Sequence, residues 1–282
     1  MNKRTDLALE SISSKPVSKE IIQKKRGKAF KITEIEIKND NYLKSIGKGK
    51  GIYITLEGNN LSKFSDDYDD MIAEFSEELE KLIPEGDILI AGIGNNDITP
   101  DALGPQTANK ILATRHLQNE FTSDEEKFLT SLRRVSVFAG GVLGQTGIET
   151  AEILKAICNE IKPSGIIVID ALACSDISRL GTTIQISNSG ISPGSGVANS
   201  RKEISQKVFG IPVIAIGVPT VVDMYTIVSS MTDCEPDKNI PNMIVTPRDI
   251  DRLTERASQL ISYGINLALQ PSLSLDDVKG LF

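Results

Sequence analysis

Histidine is almost missing from this chain. There is one, His116, among 282 residues. A Ser-His-Asp or Cys-His mechanism would have to run through it, and so would a histidine-rich metal site. In "TRHLQNE", near the end of a predicted helix, it reads as a surface or packing residue. Cysteine is scarce as well. Cys158, Cys174 and Cys234 are widely spaced and form no CxxC pair. That argues against a disulfide framework and a zinc ribbon and fits a reducing cytosol. Positive charge is not in excess: the net charge is −7, which speaks against a general affinity for nucleic acid. No apolar run reaches the ~18 residues of a membrane helix. The N-terminal "MNKRTDLALESISSKPVSK" has basic residues but lacks the apolar stretch of a secretory signal. Chemistry is therefore sought first among carboxylates, and no cofactor or metal is implied.

What remains is a chain with 40% hydrophobic and 24% charged residues, long enough for one large α/β domain with a substantial core. Residues 1 to about 29 are polar and highly charged and read as an extended or weakly ordered arm. "KITEIEI" (31–37) and "GIYITLE" (51–57) are strand-like and suit a hairpin at a sheet edge. In 65–83, Met71, Phe75, Leu79 and Leu82 share one helical face. Thereafter strand, loop and helix alternate. "DILIAGIG" (87–94), "RVSVFAGG" (134–141), "GIIVIDALA" (165–173), "TTIQIS" (182–187) and "IPVIAIGVPT" (211–220) read as strands. "ALGPQTANKILATRHL", a segment from about Gly147, "VVDMYTIVSSM" and "PRDIDRLTERASQLISYGINLAL" read as helices. Such alternation predicts a mostly parallel sheet covered by helices on both faces, with an N-terminal edge hairpin.

In open α/β sheets, sites form beyond the carboxyl ends of the strands. Four loops lie there: "GNNDITPDALGP", "GGVLGQTG", "DALACSD" and "SNSGISPGSG". Two bring aspartates directly off a buried strand, Asp101 and Asp170. A close, partly desolvated carboxylate pair cannot ionise fully near neutral pH. Its ionised member can activate water; its protonated member can polarise a carbonyl and protonate a leaving amine. Each feature also has a plainer reading. Asp170 at a strand end could be a cap, Asp97 is a rival in the same loop, and Asp176 and Asp223 read as caps or surface groups. "GIG" (92–94) lacks the GxGxxG spacing, and "PGSG" (193–196) reads better as a turn than as a phosphate cradle. Two alternatives stay open on this basis: a nucleotide- or phosphate-binding module without proteolysis, and a metal-dependent peptidase on the same architecture.

"TPDALGP" (99–105), "GQTGIET" (144–150), "IDALA" (169–173), "TIQISNSGISPGSGVANSRKEIS" (183–205), "GIPVIAIGVPTVVD" (210–223) and "IVTPRDID" (244–251) together resemble the germination protease family of endospore-forming bacteria. The resemblance extends through most of the chain. It implies an atypical aspartic-type endopeptidase with a fold akin to the hydrogenase-maturation peptidases. The implied substrates are small acid-soluble spore proteins, degraded in the cytoplasm of the spore core. It implies catalytic aspartates in the motifs that here contain Asp101 and Asp170. It also implies synthesis as a zymogen that removes its own propeptide. "RTDLALE" (4–10) is similar to the self-cleavage segment, which places the cut between Asp6 and Leu7 and divides the chain into a propeptide, 1–6, and one peptidase domain, 7–282. A homo-tetramer is implied as well. One departure is the short 232–243 connection, where better-known members carry a longer insertion. No membrane and no direct nucleic-acid partner are expected.

Overall fold

A computed structural model describes residues 5–13, 22–38, 48–119, 131–194, 201–232, 239 and 241–282. Among these residues nine strands form one sheet: β1 (Ile22–Arg26), β2 (Lys31–Ile37), β3 (Gly51–Glu57), β4 (Ile88–Gly92), β5 (Val135–Phe138), β6 (Gly165–Cys174), β7 (Thr183–Ser187), β8 (Val213–Asp223) and β9 (Ile244–Val245). Their order is β1-β2-β3-β7-β8-β6-β4-β5, with β9 pairing β8. Strands β8, β6, β4 and β5 run parallel, and β1, β2, β3 and β7 extend them as an antiparallel flank. The architecture is α/β with helices on both faces, as expected, but the sheet is mixed rather than mostly parallel. The pairs β1–β2, β2–β3, β3–β7, β7–β8 and β8–β9 are antiparallel, and β4–β5, β4–β6 and β6–β8 are parallel. The edge, however, is β1 rather than the β2–β3 pair.

The two faces follow from strand alternation. On one, Ile88, Ile90, Ile167 and Ile169 pack against the helices Tyr68–Glu80 and Ile250–Leu269. On the other, Leu89, Ala91, Ile166 and Val168 pack under the helix Thr150–Ile161. Because β4 and β6 are covered on both sides, their sequences are continuously apolar.

Two further expectations change. The helix expected across "ALGPQTANKILATRHL" spans only Leu103–Ala108, followed by a turn and the 3-10 segment Arg115–Asn119. The side chain of Asn266, on the long C-terminal helix, draws the backbone out of the helix. It accepts from the Leu112 N–H at 2.9 Å and donates to the Lys110 carbonyl at 2.9 Å. The N-terminal arm is also not loose where it is described. Ala8–Ser13 is a short helix. Leu7 and Ala8 are fully buried; Leu7 packs with Leu172, Cys174 and Val222, and Ala8 and Ile12 with Ile35, Ile37 and Tyr53. Burying Leu7 alone contributes about 2 kcal/mol, enough to outweigh the polar composition around it. No helix among the described residues is long and apolar enough to cross a membrane.

Candidate active site

The site is built where β4 stops and β6 continues. The last rung of the β4–β6 ladder pairs Gly92 with Ile169, and the Ile93 N–H still reaches the Ile169 carbonyl at 2.8 Å. Asp170 is therefore the first β6 residue past the end of β4. Its neighbour on β8 is Gly217, where a Cβ would meet the Leu172 side chain at 2.6 Å.

The loop leaving β4 turns back sharply. Gly94 has φ +124, and a Cβ there would meet the Asp101 carbonyl oxygen at 2.0 Å. Only glycine fits both conditions. The 3-10 turn Thr99–Asp101 then brings Asp101 back over the strand end. Its carboxylate accepts from the Asn95 N–H at 2.7 Å. Thr220 of β8 fixes the turn through the Pro100 carbonyl at 2.7 Å, and Thr254 of the C-terminal helix holds the Thr99 carbonyl at 3.2 Å. The glycines thus serve a tight strand exit. The Asn95 amide, which a phosphate would need, is already engaged by a carboxylate.

Asp101, Asp170 and Asp6 line one cavity of about 440 Å³. Burial raises the pKa of Asp101, against the Asn95 N–H, which favours its charged form. Asp170 is 5% exposed, and its pKa stands well above the usual carboxylate range. Burial is the largest cause, followed by the charges of Asp101 and Asp6. The pair is therefore asymmetric. Asp170 keeps its proton more readily, and Asp101 is the readier of the two to ionise. One ionised and one protonated carboxyl facing a single cavity can carry a proton in each direction.

Asp6 and Leu7 are also at this place. The Asp6 N–H donates to the Ala173 carbonyl at 2.9 Å, and the Asp6 carboxylate accepts from the Ala173 N–H at 2.9 Å. The segment is thus paired alongside the outgoing end of β6. Glu10 anchors it further on, accepting from the Ser175 N–H and hydroxyl, both at 2.7 Å, with Arg179 3.6 Å away.

The rival residues fall elsewhere. Asp97 is exposed and is not among the residues lining the cavity. Asp176 and Asp223 are caps: they accept from the N–H groups of Ser178 and Thr226, each at 3.0 Å. His116 is exposed. Cys174 is buried, with its thiol pushed up to about 12, chiefly by burial, so it is no ready nucleophile. Pro193 and Gly194 line the cavity, whereas 195–200, with the rest of "PGSG", and Cys234 lie outside the described residues. Several residues around Asp6 carry no flag in the sequence: Lys48, Gln185, Glu10 and Arg179. Gln185 had one available signal, as a polar residue in the middle of the otherwise apolar run "TIQI".

Comparisons with known proteins bear on what this cavity serves. A sequence model of the family described as "Germination protease" matches residues 2–234. The germination protease of Clostridium tetani is 40% identical over 322 aligned residues, covering 99% of each chain. That of Caldanaerobacter subterraneus subsp. tengcongensis is 40% identical over 318, covering 99% of this chain and 97% of its own. A hydrogenase maturation protease, HycI from Thermococcus kodakarensis, superposes with a TM-score of 0.38 at 17% identity, over 67% of this chain and 98% of its own. Near-full-length identity of this order, over a chain whose loops converge on one carboxylate-lined cavity, has a direct conclusion: this chain is a peptide-bond hydrolase acting on protein and belongs to the germination protease family.

Proposed function

We propose that this protein is a self-processing endopeptidase of aspartic type that degrades small acid-soluble spore proteins in the cytoplasm of the spore core. Asp101 and Asp170 are its acid/base pair, residues 1–6 its propeptide and 7–282 its peptidase domain; it acts as a homo-tetramer. The observation that supports the chemistry is the shared cavity of Asp101, Asp170 and Asp6, in which burial and then its acidic neighbours raise the pKa of Asp170. Asp101, ionised and supported by the Asn95 N–H, takes a proton from the attacking water. Asp170 gives its proton to the leaving amine. No cofactor enters the scheme.

Asp101→Asn and Asp170→Asn each remove one of the two proton roles. Each should lower cleavage of a protein substrate and of the Asp6–Leu7 bond at least 1,000-fold, by order of magnitude for removal of one essential proton carrier. The losses should not add in the double variant, because the groups act as a unit. Mass spectrometry of the full chain during incubation at falling pH reads both activities. Near wild-type turnover in either single variant would overturn the pair. A processed chain that begins anywhere other than Leu7 would overturn the cleavage site.

A further inference from the structure

The carbonyl oxygen of Asp6 has two donors. Lys48 Nζ reaches it at 2.6 Å and Gln185 Nε2 at 3.1 Å. The other end of the same Gln185 amide accepts the Ala8 N–H at 2.7 Å. Gln185 therefore grips the chain on both sides of the Asp6–Leu7 bond. It is itself fixed, 8% exposed in β7 between the buried Ile184 and Ile186.

Strand register explains how this grip comes to lie beside the carboxylates. Gln185 of β7 pairs with Gly217 of β8, and Gly217 pairs with Asp170 of β6. Residues paired across neighbouring strands point to the same face, so Gln185 and Asp170 stand on one side of the sheet, two strand spacings or roughly 10 Å apart. Between them is a glycine. Leu172 packs over that glycine, where a Cβ would meet its Cγ at 2.6 Å, and two cavities flank the place: the one containing Asp101 and Asp170, and a second of about 580 Å³ containing Lys48, Gln185 and Gly217. Asp6 lines both.

The Lys48 ammonium is in an unfavourable place for a simple anchor. Burial pulls its pKa down, and the charges of Asp6 and Glu10 pull it back. Its contact with a neutral carbonyl recovers only part of the lost hydration. The same contact becomes strong once the oxygen carries negative charge.

Resting on the reading of Asp6–Leu7 as the processed bond, we propose that Lys48 and Gln185 form the oxyanion-stabilising pair for its hydrolysis. Water adds through oxygen to the Asp6 carbonyl carbon and gives a proton to the ionised member of the Asp101–Asp170 pair. The carbonyl electrons move onto the oxygen held by Lys48 and Gln185. On collapse the C–N bond breaks, and the Leu7 nitrogen takes the proton of the protonated member. The products are a carboxyl group on Asp6 and an amine on Leu7, with one water consumed.

The test follows loss of residues 1–6 by mass spectrometry in the full-length wild type, Lys48→Met, Lys48→Arg and Asp170→Asn. Amide exchange of Ala8–Ile12 in each chain reports whether the segment stays seated. Lys48→Met should keep that protection and slow the cut at least ~100-fold, as loss of an oxyanion donor does. Lys48→Arg, which retains a cation, should recover part of the rate. Lys48→Met cutting within ~3-fold of wild type would overturn the proposal. So would loss of protection in Lys48→Met, which would make Lys48 an anchor. Either result with Asp170→Asn inactive leaves the carboxylate pair standing. A wild type that never cuts at Asp6–Leu7 would instead remove the underlying reading.

Discussion

The two halves of the sheet obey different rules. In β4, every residue from Ile88 to Gly92 is buried, and β6 is buried throughout except at Ala171. In β2, burial is interrupted: Lys31 and Glu36 are exposed, and Glu34 is only partly covered. The parallel half has no room for a charged side chain until a strand ends, and Asp170 occupies that first opening. The antiparallel half carries polar groups within its strands. Thr33, Thr55 and Gln185 pair in a row across β2, β3 and β7, and all three are buried. The lesson is a division of labour. One half holds carboxylates beside the end of a strand, and the other brings the Gln185 amide of β7, with Lys48 just ahead of β3, to the chain lying across it.

The comparison can be broken most severely at the junction of β4, β6 and the helix Leu103–Ala108. A Cβ on Gly104 would meet the carbonyl oxygens of Ile93 and Ile169 at 2.2 and 2.5 Å. These are backbone atoms of the strands that carry the site. Gly104→Ala should cost about 3 kcal/mol in urea unfolding and lower peptidase activity more than its loss of folded protein explains. Unchanged stability would mean that the parallel half is more pliant than its packing suggests.

The antiparallel half should respond less. Arg179 joins Glu10 of the N-terminal segment to Glu57 of β3, the latter at 2.8 Å. Its side chain is 15% exposed. Arg179→Ala should cost about 2 kcal/mol, because it leaves the largely covered Glu10 without its cation and takes one of two cations from Glu57, which keeps Lys31 at 3.2 Å. The helix Ala8–Ser13 should lose amide protection before the sheet does. Equal loosening of both would show that the segment and the flank unfold as one unit.

The smallest effect has the opposite sign. The pKa of Asp170 is raised in the folded chain above its unfolded value of about 3.9. Between those two values the folded state binds more protons, so its stability falls as pH rises. Asp170→Asn should therefore be more stable than wild type in urea unfolding at pH 7, by about 1 kcal/mol, and show no such gain near pH 3. A destabilised Asp170→Asn at pH 7 would mean that the carboxylate is compensated where it stands.

Much of this was legible because buried parallel strands announce themselves. "ILIAG" and "GIIVID" are apolar runs, the first ending in a glycine turn and the second at Asp170, and those ends border the candidate site. The adjacency of β4 and β6, which brings Asp101 and Asp170 to one cavity, needed the fold. The fate of the N-terminus was not legible. Leu7, Ala8 and Ile12 are too few to mark an element, and their burial depends on β2, β3 and β6 arriving from elsewhere. The helix after Asp101 was overextended because its early end is imposed by Asn266, more than 150 residues away. Lys48 sits in "GKGKG", where nothing local sets it apart.

The burial of Leu7 bears on whether maturation can run backward. A cut before Leu7 would leave the new amine docked by its own side chain against Leu172, Cys174 and Val222. The new carboxyl group would begin as its neighbour, still paired with Ala173. In that state the reverse reaction joins two fragments already in place, at the high effective concentration of an intramolecular step. Hydrolysis would then be only half of the commitment. The other half is escape of a small polar peptide into solution, where dilution makes the encounter rare. Maturation would be driven by mass action, and a high concentration of free propeptide should slow its net progress.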